Sequence, residues 1–395
     1  MKLAQRMHGI GTETAFEAAA RARALEAEGR DIIHLEIGEP DFDTPPNIIA
    51  AAHGALDAGW THYGPPLGLP ALREAIAADA RLRKGFNAEA ANVAVTPGAK
   101  PIMFYALLAL IDKGDEVIYP DPGFPIYESM TRVAGGTPVP IALRAENNFG
   151  LDTDELRSLV TDKTKLIIFN SPHNPTGAVL TRADIEAIAG IARERDILVL
   201  ADEIYARDLY EGEHVSIASL PDMAERTIIL DGFSKTFAMT GWRLGYAILP
   251  PALVGPFSKL IINSVSCTSS FAQMAAVEAL TGPQDDVHAM VDEFRVRREL
   301  VVAGLNAIDG ITCNMPHGAF YVFPNVAGTG LDGSRFADKL LTEAGVCVLS
   351  GTAFGKVGAD HIRISYANSQ ANLHRALERM AEFVASLPTP ARATA

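Results

Sequence analysis

Short apolar runs alternate with amphipathic segments along the chain from about residue 46 onward. The apolar runs predict buried strands at 93–96, 116–119, 165–170, 197–201 and 227–230. Apolar positions at helical spacing predict helices at 71–83, 101–111 and 182–195. Because strands that are apolar throughout must be covered on both faces, the alternation predicts an α/β fold with a mostly parallel sheet sandwiched by helices.

The pattern changes after Pro283, where a long charged segment at 287–305 predicts a connecting helix. After this helix the sequence predicts strands at 319–323, 346–349 and 362–365 and helices at 334–344 and 368–385. Near the start of the chain it predicts a helix at 16–29, an apolar run at 32–37 and a turn at 38–41. We therefore predict a large α/β domain over 46–285. A smaller α+β domain would combine 1–45 with 286–395 and end in a frayed tail.

Composition narrows the classes of protein that the chain can be. A length of 395 residues exceeds what one hydrophobic core usually serves, and a net charge of -14 disfavours nucleic acid and anionic membranes as partners. Residues 1–11 lack the apolar core of a signal peptide, and the apolar runs are too short to span a bilayer. Three cysteines without a CxxC pair fit a reducing compartment, so we expect a cytoplasmic protein. Ten histidines without ligand spacing predict no metal site.

The segment 231–245, with the sequence DGFSKTFAMTGWRLG, carries the clearest chemical signal. A predicted strand delivers Lys235 into a loop of small residues, with Ser234 before it and Arg243 eight positions after it. A lysine that forms an imine must lose its proton, and a partly dry site with cationic neighbours promotes that loss. Ser234 and Arg243 also suit a phosphate group. A lysine taken alone is usually a solvated surface residue, but the strand-end position favours a chemical role here.

Four further motifs accompany this segment: GEPDFDTP at 38–45, NSPHNPTG at 170–177, ADEIY at 201–205 and IRISYA at 362–367. In this order the five motifs resemble those of the class I/II aminotransferases, fold-type-I pyridoxal-phosphate enzymes that include aspartate aminotransferase. The resemblance covers roughly residues 30–370. It implies the PLP transferase fold, the cofactor pyridoxal 5′-phosphate, and a ping-pong transfer of an amino group between an L-amino acid and a 2-oxo acid.

The resemblance assigns catalytic roles to Lys235, Asp202 and Tyr205. Lys235 would hold the cofactor as an internal imine and later move the α-proton of the substrate. Asp202 would keep the pyridine nitrogen protonated, which lets the ring accept electrons. Tyr205 would donate to the phenolic oxygen of the cofactor, and Asn174 would bind that oxygen and the substrate carboxylate. Without the other motifs, Asp202 would be interpreted as a turn cap and Tyr205 as a packing residue.

A phosphate site is expected where the sequence TPGAK follows a predicted strand and opens a helix. Backbone N–H groups at a helix start bind anions, so Gly98, Ala99 and Lys100 would hold the cofactor phosphate. Ser234 and Arg243 would join them according to the resemblance. A plain helix start has the same sequence pattern, so this motif alone is a weak signal.

Two aromatic residues complete the cofactor site that the resemblance implies. Phe124 matches an aromatic residue that stacks on the cofactor ring, although a single phenylalanine is usually part of a core. Tyr63 matches a tyrosine that reaches the phosphate bound in the neighbouring subunit. That match implies a homodimer with shared active sites.

Arg363 is the predicted substrate residue. Ile362 and Ile364 face one side of the predicted strand, so Arg363 faces the other. In the family an arginine at this position forks onto the α-carboxylate, and such a charge-assisted bond is worth roughly 1.5–3 kcal/mol. The N–H of Gly38 is the expected second contact. A solvated arginine on an open sheet face is the ordinary alternative.

The amino donor stays open at this point. Dicarboxylate-specific members of the family use small hydroxyl residues near the first helix and a lysine that matches Lys100. Here Glu13 falls near that region, and its charge would repel an acidic substrate unless it points away. Thr12 and Thr14 flank it, so a shift by one residue would reverse this interpretation.

Other motifs in the sequence offer alternatives to a transaminase. The sequence GTGLDG at 328–333 has the glycine spacing of a dinucleotide site, but no acidic residue stands where a ribose would need one, at 346–351. Ser234 to Thr236 resembles part of a P-loop, yet both required glycines are replaced. A C–S lyase or another eliminating enzyme on the same scaffold is the main alternative. A non-catalytic regulator is disfavoured because all the motif residues are present.

Overall fold

The structure is a computed structural model that describes residues 2–4, 7, 10–11 and 14–388. Its strands in this part of the chain are β1 Ile33–His34, β2 Val93–Thr96, β3 Glu116–Asp121, β4 Thr137–Ala142, β5 Thr164–Asn170, β6 Leu198–Asp202, β7 Thr227–Gly232, β8 Gly245–Ile248, β9 Tyr321–Val322, β10 Val346–Cys347, β11 Leu349–Ser350 and β12 Ile362–Ser365. Its helices are α1 Thr14–Ala27, α2 Pro46–Asp57, α3 Pro70–Arg83, α4 Lys100–Leu110, α5 Ile126–Ala134, α6 Thr153–Leu159, α7 Arg182–Glu194, α8 Pro251–Ser264, α9 Ser270–Thr281, α10 Asp285–Asn306, α11 Gly333–Lys339 and α12 Gln370–Ser386.

Seven of these strands form the central sheet in the order β2-β8-β7-β6-β5-β3-β4. Strands β3 to β7 pair in parallel, and β8 runs antiparallel to both of its neighbours, β7 and β2. The prediction of an α/β fold with a mostly parallel sheet is therefore confirmed, with β8 as the reversed strand.

The inner strands of the sheet are buried on both faces, which explains why they are mainly apolar. Along β5, Leu166 and Ile168 belong to one hydrophobic core, while Ile167 and Phe169 belong to the other. Successive side chains of a strand point to opposite faces, so a strand such as β5 supplies both cores. The carboxyl ends of β5, β6 and β7 consequently lie side by side, and the loops that follow them meet at one edge of the sheet.

Several helices begin at signals that are visible in the sequence. Pro46, Pro70 and Pro251 stand in the first turns of α2, α3 and α8, where the missing N–H of proline costs no helical hydrogen bond. At the start of α7, Thr181 and Asp184 form a capping box in which each side chain binds the backbone N–H of the other residue.

The C-terminal elements form smaller sheets that also recruit the N-terminal segment. Strands β11, β12 and β9 make an antiparallel sheet, and β1 pairs in parallel with β10. The residues before α2 therefore pack with the residues after α10, as expected for the predicted smaller domain. The division into domains at residues 45/46 and 285/286 stays a prediction.

Helix α10 leads from the central sheet to these elements and holds the segment before α2. Its buried Arg297 forms an ion pair with Asp41, with 2.6 Å between Nη1 and Oδ1. The same guanidinium lies over the ring of Phe42, 4.9 Å from the ring centroid. The turn that contains Asp41 and Phe42 is thereby fixed against α10.

Some predicted boundaries were wrong. The helix expected at 334–344 ends as an α-helix at Lys339 and continues as a π-helical turn, Leu340–Ala344. The strand expected at 346–349 is split into β10 and β11, and the one expected at 319–323 is reduced to β9. The predicted tail after Leu387 lies almost entirely outside the described residues.

Cys267, Cys313 and Cys347 carry free thiols. No helix in the described part of the chain has the length and apolar character needed to cross a membrane. Among the same residues, no group of three or more His, Cys, Asp or Glu side chains could hold a metal ion.

Candidate active site

A cavity of about 500 Å³ opens at the carboxyl ends of β5, β6 and β7. Ligands of open parallel sheets bind at this edge, because the loops that follow neighbouring strands diverge there. The predicted residues on its walls that belong to the catalytic and substrate groups are Asn174, Asp202, Tyr205, Lys235 and Arg363. Those that belong to the cofactor and backbone groups are Gly38, Ala99, Lys100, Phe124, Ser234 and Arg243.

Lys235 lies in the loop that follows β7 and is half-buried. Its Nζ donates a hydrogen bond to the carbonyl of Gly38 at 2.5 Å and lies 5.9 Å from the ring centroid of Phe320. The amine therefore faces the cavity between the end of the central sheet and the segment that precedes α2.

Asp202 is the last residue of β6, and its carboxyl is buried in the cavity wall. Oδ2 accepts a hydrogen bond from the hydroxyl of Tyr127 at 2.8 Å, and Oδ1 accepts one from the N–H of Ile204 at 3.3 Å. Burial raises the pKa of Asp202 to about 7, although the hydrogen bond from Tyr127 acts in the opposite direction. A buried carboxyl on the cavity wall is suited to bind a cationic N–H group of a ligand.

Tyr205 and Tyr321 meet through their hydroxyls, 2.8 Å apart. Burial raises the pKa of Tyr205 well above its ordinary value, so the phenol is a hydrogen-bond donor at neutral pH. The hydroxyl of Tyr321 also lies where a side chain at Gly38 would be, since a Cβ there would stand 2.2 Å from it. A glycine at position 38 therefore allows the turn to approach this pair closely.

Arg363 is buried on β12 and stacks over Tyr321, with 4.7 Å between its Cζ and the ring centroid. Its Nη1 donates to Oδ1 of Asn174 at 3.3 Å, and its Nη2 donates to the carbonyl of Glu36. Arg363 lines the cavity, whereas its strand neighbours Ile362 and Ile364 belong to the hydrophobic core, so the structure does not have the open, solvated arginine of the alternative interpretation. The guanidinium is a fixed cation on the cavity wall.

Asn174 is held in turn by its neighbour in the NSPHNPTG motif. Its N–H donates to Oδ1 of Asn170 at 2.8 Å, and Nδ2 of Asn170 donates to the carbonyl of Asp202 at 2.9 Å. The loop after β5 is therefore locked to the end of β6. This arrangement links Arg363, through Asn174, to the backbone of Asp202.

The start of α4 forms the opposite wall, close to the loop after β7. Gly98 has a φ of +84°, and a Cβ there would stand 2.2 Å from Nη2 of Arg243. Gly245 approaches as closely, since its Cβ would stand 2.6 Å from the N atom of Ala99. These glycines bring the guanidinium of Arg243 against the first turn of a helix, where backbone N–H groups favour an anion.

Lys100 and Phe124 adjoin this wall. The Nζ of Lys100 lies 5.6 Å from the ring centroid of Phe124, which is half-buried and exposes part of its ring to the cavity. The aromatic ring and the cation thus line the same side of the cavity.

Two predicted residues, Tyr63 and Gly98, are not among those that line this cavity, although Gly98 lies directly against Arg243 on its wall. Tyr63 lies elsewhere. Its side chain is 90% exposed, and it lines a separate cavity of about 530 Å³ together with Trp60, Cys267 and Phe271. Within one chain, therefore, Tyr63 and Lys235 belong to different cavities.

Two further predictions are affected by the structure in different ways. Thr12 and Glu13 lie outside the described residues, whereas Thr14 begins α1. The glycines of the sequence GTGLDG have packing roles, since a Cβ at Gly328 would stand 2.7 Å from the carbonyl oxygen of Gly310, and one at Gly333 would stand 2.0 Å from that of His361. This spacing therefore reflects close backbone packing.

Behind Asp202 lies a buried ionic cluster that the sequence did not reveal. The Nζ of Lys84 is 2.7 Å from Oε2 of Glu203 and 2.8 Å from Oδ2 of Asp231. Burial disfavours the charge of Glu203, but Lys84 and His214 together outweigh it and hold the pKa of that carboxyl below its usual range. The residues next to Asp202 and at the end of β7 are thereby fixed from the side away from the cavity.

Sequence reasoning also missed Tyr127, Tyr321 and Asn170. Asn170 opens a motif that had been recognised, so its position was visible although no role was assigned to it. Tyr127 and Tyr321 reach their partners over 75 and 116 residues of chain, and no local pattern marks either of them.

Comparison with known proteins agrees with this geometry. Residues 30–380 match the family model for aminotransferase class I and II. An aspartate aminotransferase of Pyrococcus abyssi is 46% identical over 90% of this chain and 92% of its own length. An aromatic-amino-acid aminotransferase of Thermococcus litoralis is 43% identical over 88% of this chain and 90% of its own length. The crystal structure of an aspartate aminotransferase from Rhizobium meliloti superposes with a TM-score of 0.94 at 38% identity, over 98% of this chain and 100% of that one.

The chain belongs to the aminotransferase class I and II family. It is a transaminase with the fold of the fold-type-I aminotransferases, and the lyase alternative is not favoured. The family depends on pyridoxal phosphate, and its members act on amino acids and 2-oxo acids.

Proposed function

We propose that this transaminase binds pyridoxal 5′-phosphate in the cavity at the sheet edge and transfers an amino group between an L-amino acid and a 2-oxo acid. The observation that carries the proposal is the presence on one cavity of the amine of Lys235, the carboxyl of Asp202 and the guanidinium of Arg363. An amine that can be linked covalently, an acid for a ring nitrogen and a cation for a carboxylate are the groups that this reaction requires.

The residues at the helix start fit the phosphate of this cofactor. Arg243 lies against Gly98 at the first turn of α4, and Ser234 lines the same wall. A side chain at position 98 would displace the guanidinium, so the glycine keeps this anion site open. The backbone N–H groups of Ala99 and Lys100 would add hydrogen bonds to the same anion.

The residues at the strand ends fit the ring. When bound, pyridoxal phosphate supplies a protonated ring that accepts the electron pair released as the α-proton leaves. Asp202 would hold the proton on the ring nitrogen, and Tyr127 would keep that carboxyl oriented. Tyr205 and Asn174 would donate to the phenolic oxygen, while Phe124 would stack on one face.

The chain's own proton transfers would be performed by Lys235. Its Nζ would form the covalent link to the cofactor. Once released, the amine would take the α-proton from the substrate and pass it to the cofactor carbon that is bound to the substrate nitrogen. The carbonyl of Gly38, which accepts from Nζ at 2.5 Å, would orient the amine for these steps. Arg363 and the N–H of Gly38 would bind the α-carboxylate.

The names of the relatives favour an acidic amino acid as the amino donor of this chain. Proteins that are 46% and 42% identical to this chain are named as aspartate aminotransferases. Lys100 lines the cavity and would supply a cation for the second carboxylate. Aspartate is therefore the proposed donor, with aromatic amino acids as the next class because of the relative from Thermococcus litoralis.

A homodimer would complete the site. Tyr63 is exposed on the single chain, and the apolar side chains of Leu56 and Trp60 are exposed in the same region. In the proposed dimer the Tyr63 hydroxyl would reach the phosphate bound by the partner subunit. This explains why it lines a cavity separate from that of Lys235 in its own chain.

The proposal is tested by assaying the purified protein with a panel of amino donors against 2-oxoglutarate, pyruvate and oxaloacetate. Keto-acid formation that depends on the acceptor, and is fastest with aspartate, is the expected result. Ammonia or sulfide released without an acceptor would show a lyase instead.

The covalent role of Lys235 needs a separate experiment. The Lys235→Ala variant is expected to fold, to lose most turnover and to carry no covalently fixed cofactor after borohydride treatment. Lys113→Ala, which removes an exposed lysine, is the matched control and is expected to behave as wild type. Covalent fixation in Lys235→Ala would show that another lysine forms the link.

A further inference from the structure

Three hydrogen bonds join the end of β3 to a loop of the C-terminal elements. The carboxyl of Asp121, the last residue of β3, is buried. Its Oδ2 accepts from the N–H of Lys356 at 3.1 Å, and its Oδ1 accepts from the N–H of Val357 at 3.2 Å. Two residues further along, the N–H of Gly123 donates to the carbonyl of Phe354 at 2.7 Å. The proposed reaction assigns no role to this carboxyl.

Gly355 allows the carboxyl of Asp121 to approach the backbone of this loop. A Cβ at Gly355 would stand 2.0 Å from Oδ1 of Asp121, and the φ of Gly355, +135°, is a conformation that residues with side chains rarely adopt. A buried carboxylate has lost its hydration, and backbone N–H groups compensate for that loss. The contact therefore requires a glycine at position 355 as well as an acceptor at position 121.

The same loop packs against the arginine of the proposed carboxylate site. The ring centroid of Phe354 lies 5.0 Å from Cζ of Arg363, and that of Tyr321 lies 4.7 Å from the same atom. Phe354 is buried in a small hydrophobic cluster together with Phe149 and Phe323. A displacement of the backbone at position 354 would therefore move a surface on which the guanidinium rests.

In the other direction, the chain continues from Asp121 to residues at the proposed ring site. Phe124 lines the cavity, and its ring meets that of Tyr127 edge to face, with 5.9 Å between the centroids. Tyr127 in turn donates a hydrogen bond to Asp202. The carboxyl of Asp121 thus connects the segment that contacts the ring site with the loop that contacts Arg363.

We propose that Asp121 is a positioning residue of the α-carboxylate site, which acts by fixing the loop that packs Phe354 against Arg363. Asp121 and Phe354, both in the described part of the chain, lie outside the cavity lining, so they act through Arg363. This inference rests on the proposed role of Arg363. The amino acid and the 2-oxo acid both carry a carboxylate next to the reacting carbon, so Asp121 should affect the binding of both substrates alike.

The test is steady-state kinetics of the holoenzyme, in which the amino donor and the 2-oxo acid are varied separately. In Asp121→Asn the amide keeps the shape, but its NH2 group cannot accept from one of the two backbone N–H groups. The KM values for both substrates should rise about three- to ten-fold, the range expected when one net hydrogen bond is lost. The kcat and the amount of bound cofactor should stay near those of wild type.

Gly355→Ala is a second variant, which leaves the carboxyl in place. Its methyl group would displace the loop from Asp121, so the same rise in both KM values is expected. Asp184→Asn is the matched control, because Asp184 also accepts from a backbone N–H, that of Thr181, at the start of α7. This control should lower the free energy of unfolding and leave both KM values unchanged, which is the behaviour of a merely structural carboxylate.

Unchanged KM values in a folded Asp121→Asn or Gly355→Ala protein would overturn the inference. A rise for one substrate alone, or a loss of cofactor that accounts for the whole loss of activity, would do so as well. If Arg363→Lys itself leaves both KM values unchanged, it is the proposed role of Arg363 that fails, so the two failures are distinguishable.

Discussion

The hydroxyl of Tyr127, on α5, donates a hydrogen bond to Oδ2 of Asp202, at the end of β6, over a distance of 2.8 Å. Tyr127 is fully buried, and burial raises its pKa well above the ordinary value, so it acts as a donor throughout the neutral range. The bond opposes the effect of burial on Asp202 and favours the carboxylate. The carboxyl that would face the cofactor ring thus depends on a residue from a different part of the chain.

Replacement of Tyr127 by Phe should therefore impair both stability and the ionisation of Asp202. Loss of the donor leaves a buried acceptor unsatisfied, which costs about 1–3 kcal/mol of unfolding free energy. It also raises the pKa of Asp202 further, so the acidic limb of the pH profile of kcat/KM should move to higher pH. Tyr105→Phe, which loses a bond to Ser264 away from the cavity, should lower stability without moving that limb. Identical profiles for Tyr127→Phe and wild type would contradict the role of Tyr127.

Arg363→Lys tests the carboxylate site. Lysine keeps the charge but cannot fork onto a carboxylate or stack on Tyr321 as a planar group. The KM for the amino donor should rise about ten- to hundred-fold, equivalent to about 1.5–3 kcal/mol. The same change at the exposed Arg335 should have no effect on steady-state kinetics. A KM that stays at the wild-type value would exclude Arg363 from carboxylate binding.

Asp202 should make the unfolding free energy of the cofactor-free enzyme depend on pH. Its pKa is about 7 in the folded state, whereas an unfolded chain has an ordinary aspartate pKa of about 3.9. Between these values the folded state binds more protons, so Asp202 lowers stability as the pH rises, by at most about 1.4 kcal/mol per pH unit. Asp202→Asn removes this dependence. Urea titrations should therefore show that the unfolding free energy of wild type falls relative to that of the variant as the pH rises from about 5 to about 7. A difference in unfolding free energy that does not change with pH would be inconsistent with the raised pKa.

The shared site of the proposed homodimer can be tested by complementation. Lys235→Ala and Tyr63→Ala subunits should each be impaired as homodimers. In a mixed dimer, one site would combine the intact Lys235 of one chain with the intact Tyr63 of the other and should regain activity. If Tyr63 served its own chain, neither site of the mixed dimer would be intact. Co-expression with two affinity tags, followed by assay of the doubly tagged fraction, separates these outcomes.

Much of the central sheet could be predicted from the sequence because each strand is marked by its own run of apolar residues. Strands β2 and β12 have the predicted bounds, since short apolar runs between turn residues leave few alternatives. The strand β4 was not predicted, because Pro138 and Pro140 normally argue against a strand. The structure accommodates them because β4 is an edge strand that pairs with β3 alone within the described sheet. The antiparallel direction of β8 also depends on how the whole sheet is arranged, so the local sequence does not predict it.

The candidate site was predictable to the extent that its residues follow strand ends. Asp202 and Lys235 terminate or follow buried strands, and parallel strands bring their carboxyl ends together. Tyr127 and Tyr321 could not be found in this way. Their roles depend on which distant side chains they meet after folding, and no local sequence pattern marks such a tyrosine.

The ion pair between Arg297 and Asp41 has a mechanical consequence. It fastens α10 to a turn whose first residue, Gly38, accepts the hydrogen bond from Lys235. A rotation of α10 relative to the central sheet would pull this turn with it and shift the carbonyl against the amine. Lys235, the proposed reactive lysine, is therefore mechanically coupled to the C-terminal elements, and a closing motion around a bound substrate would change the position of its hydrogen-bond acceptor.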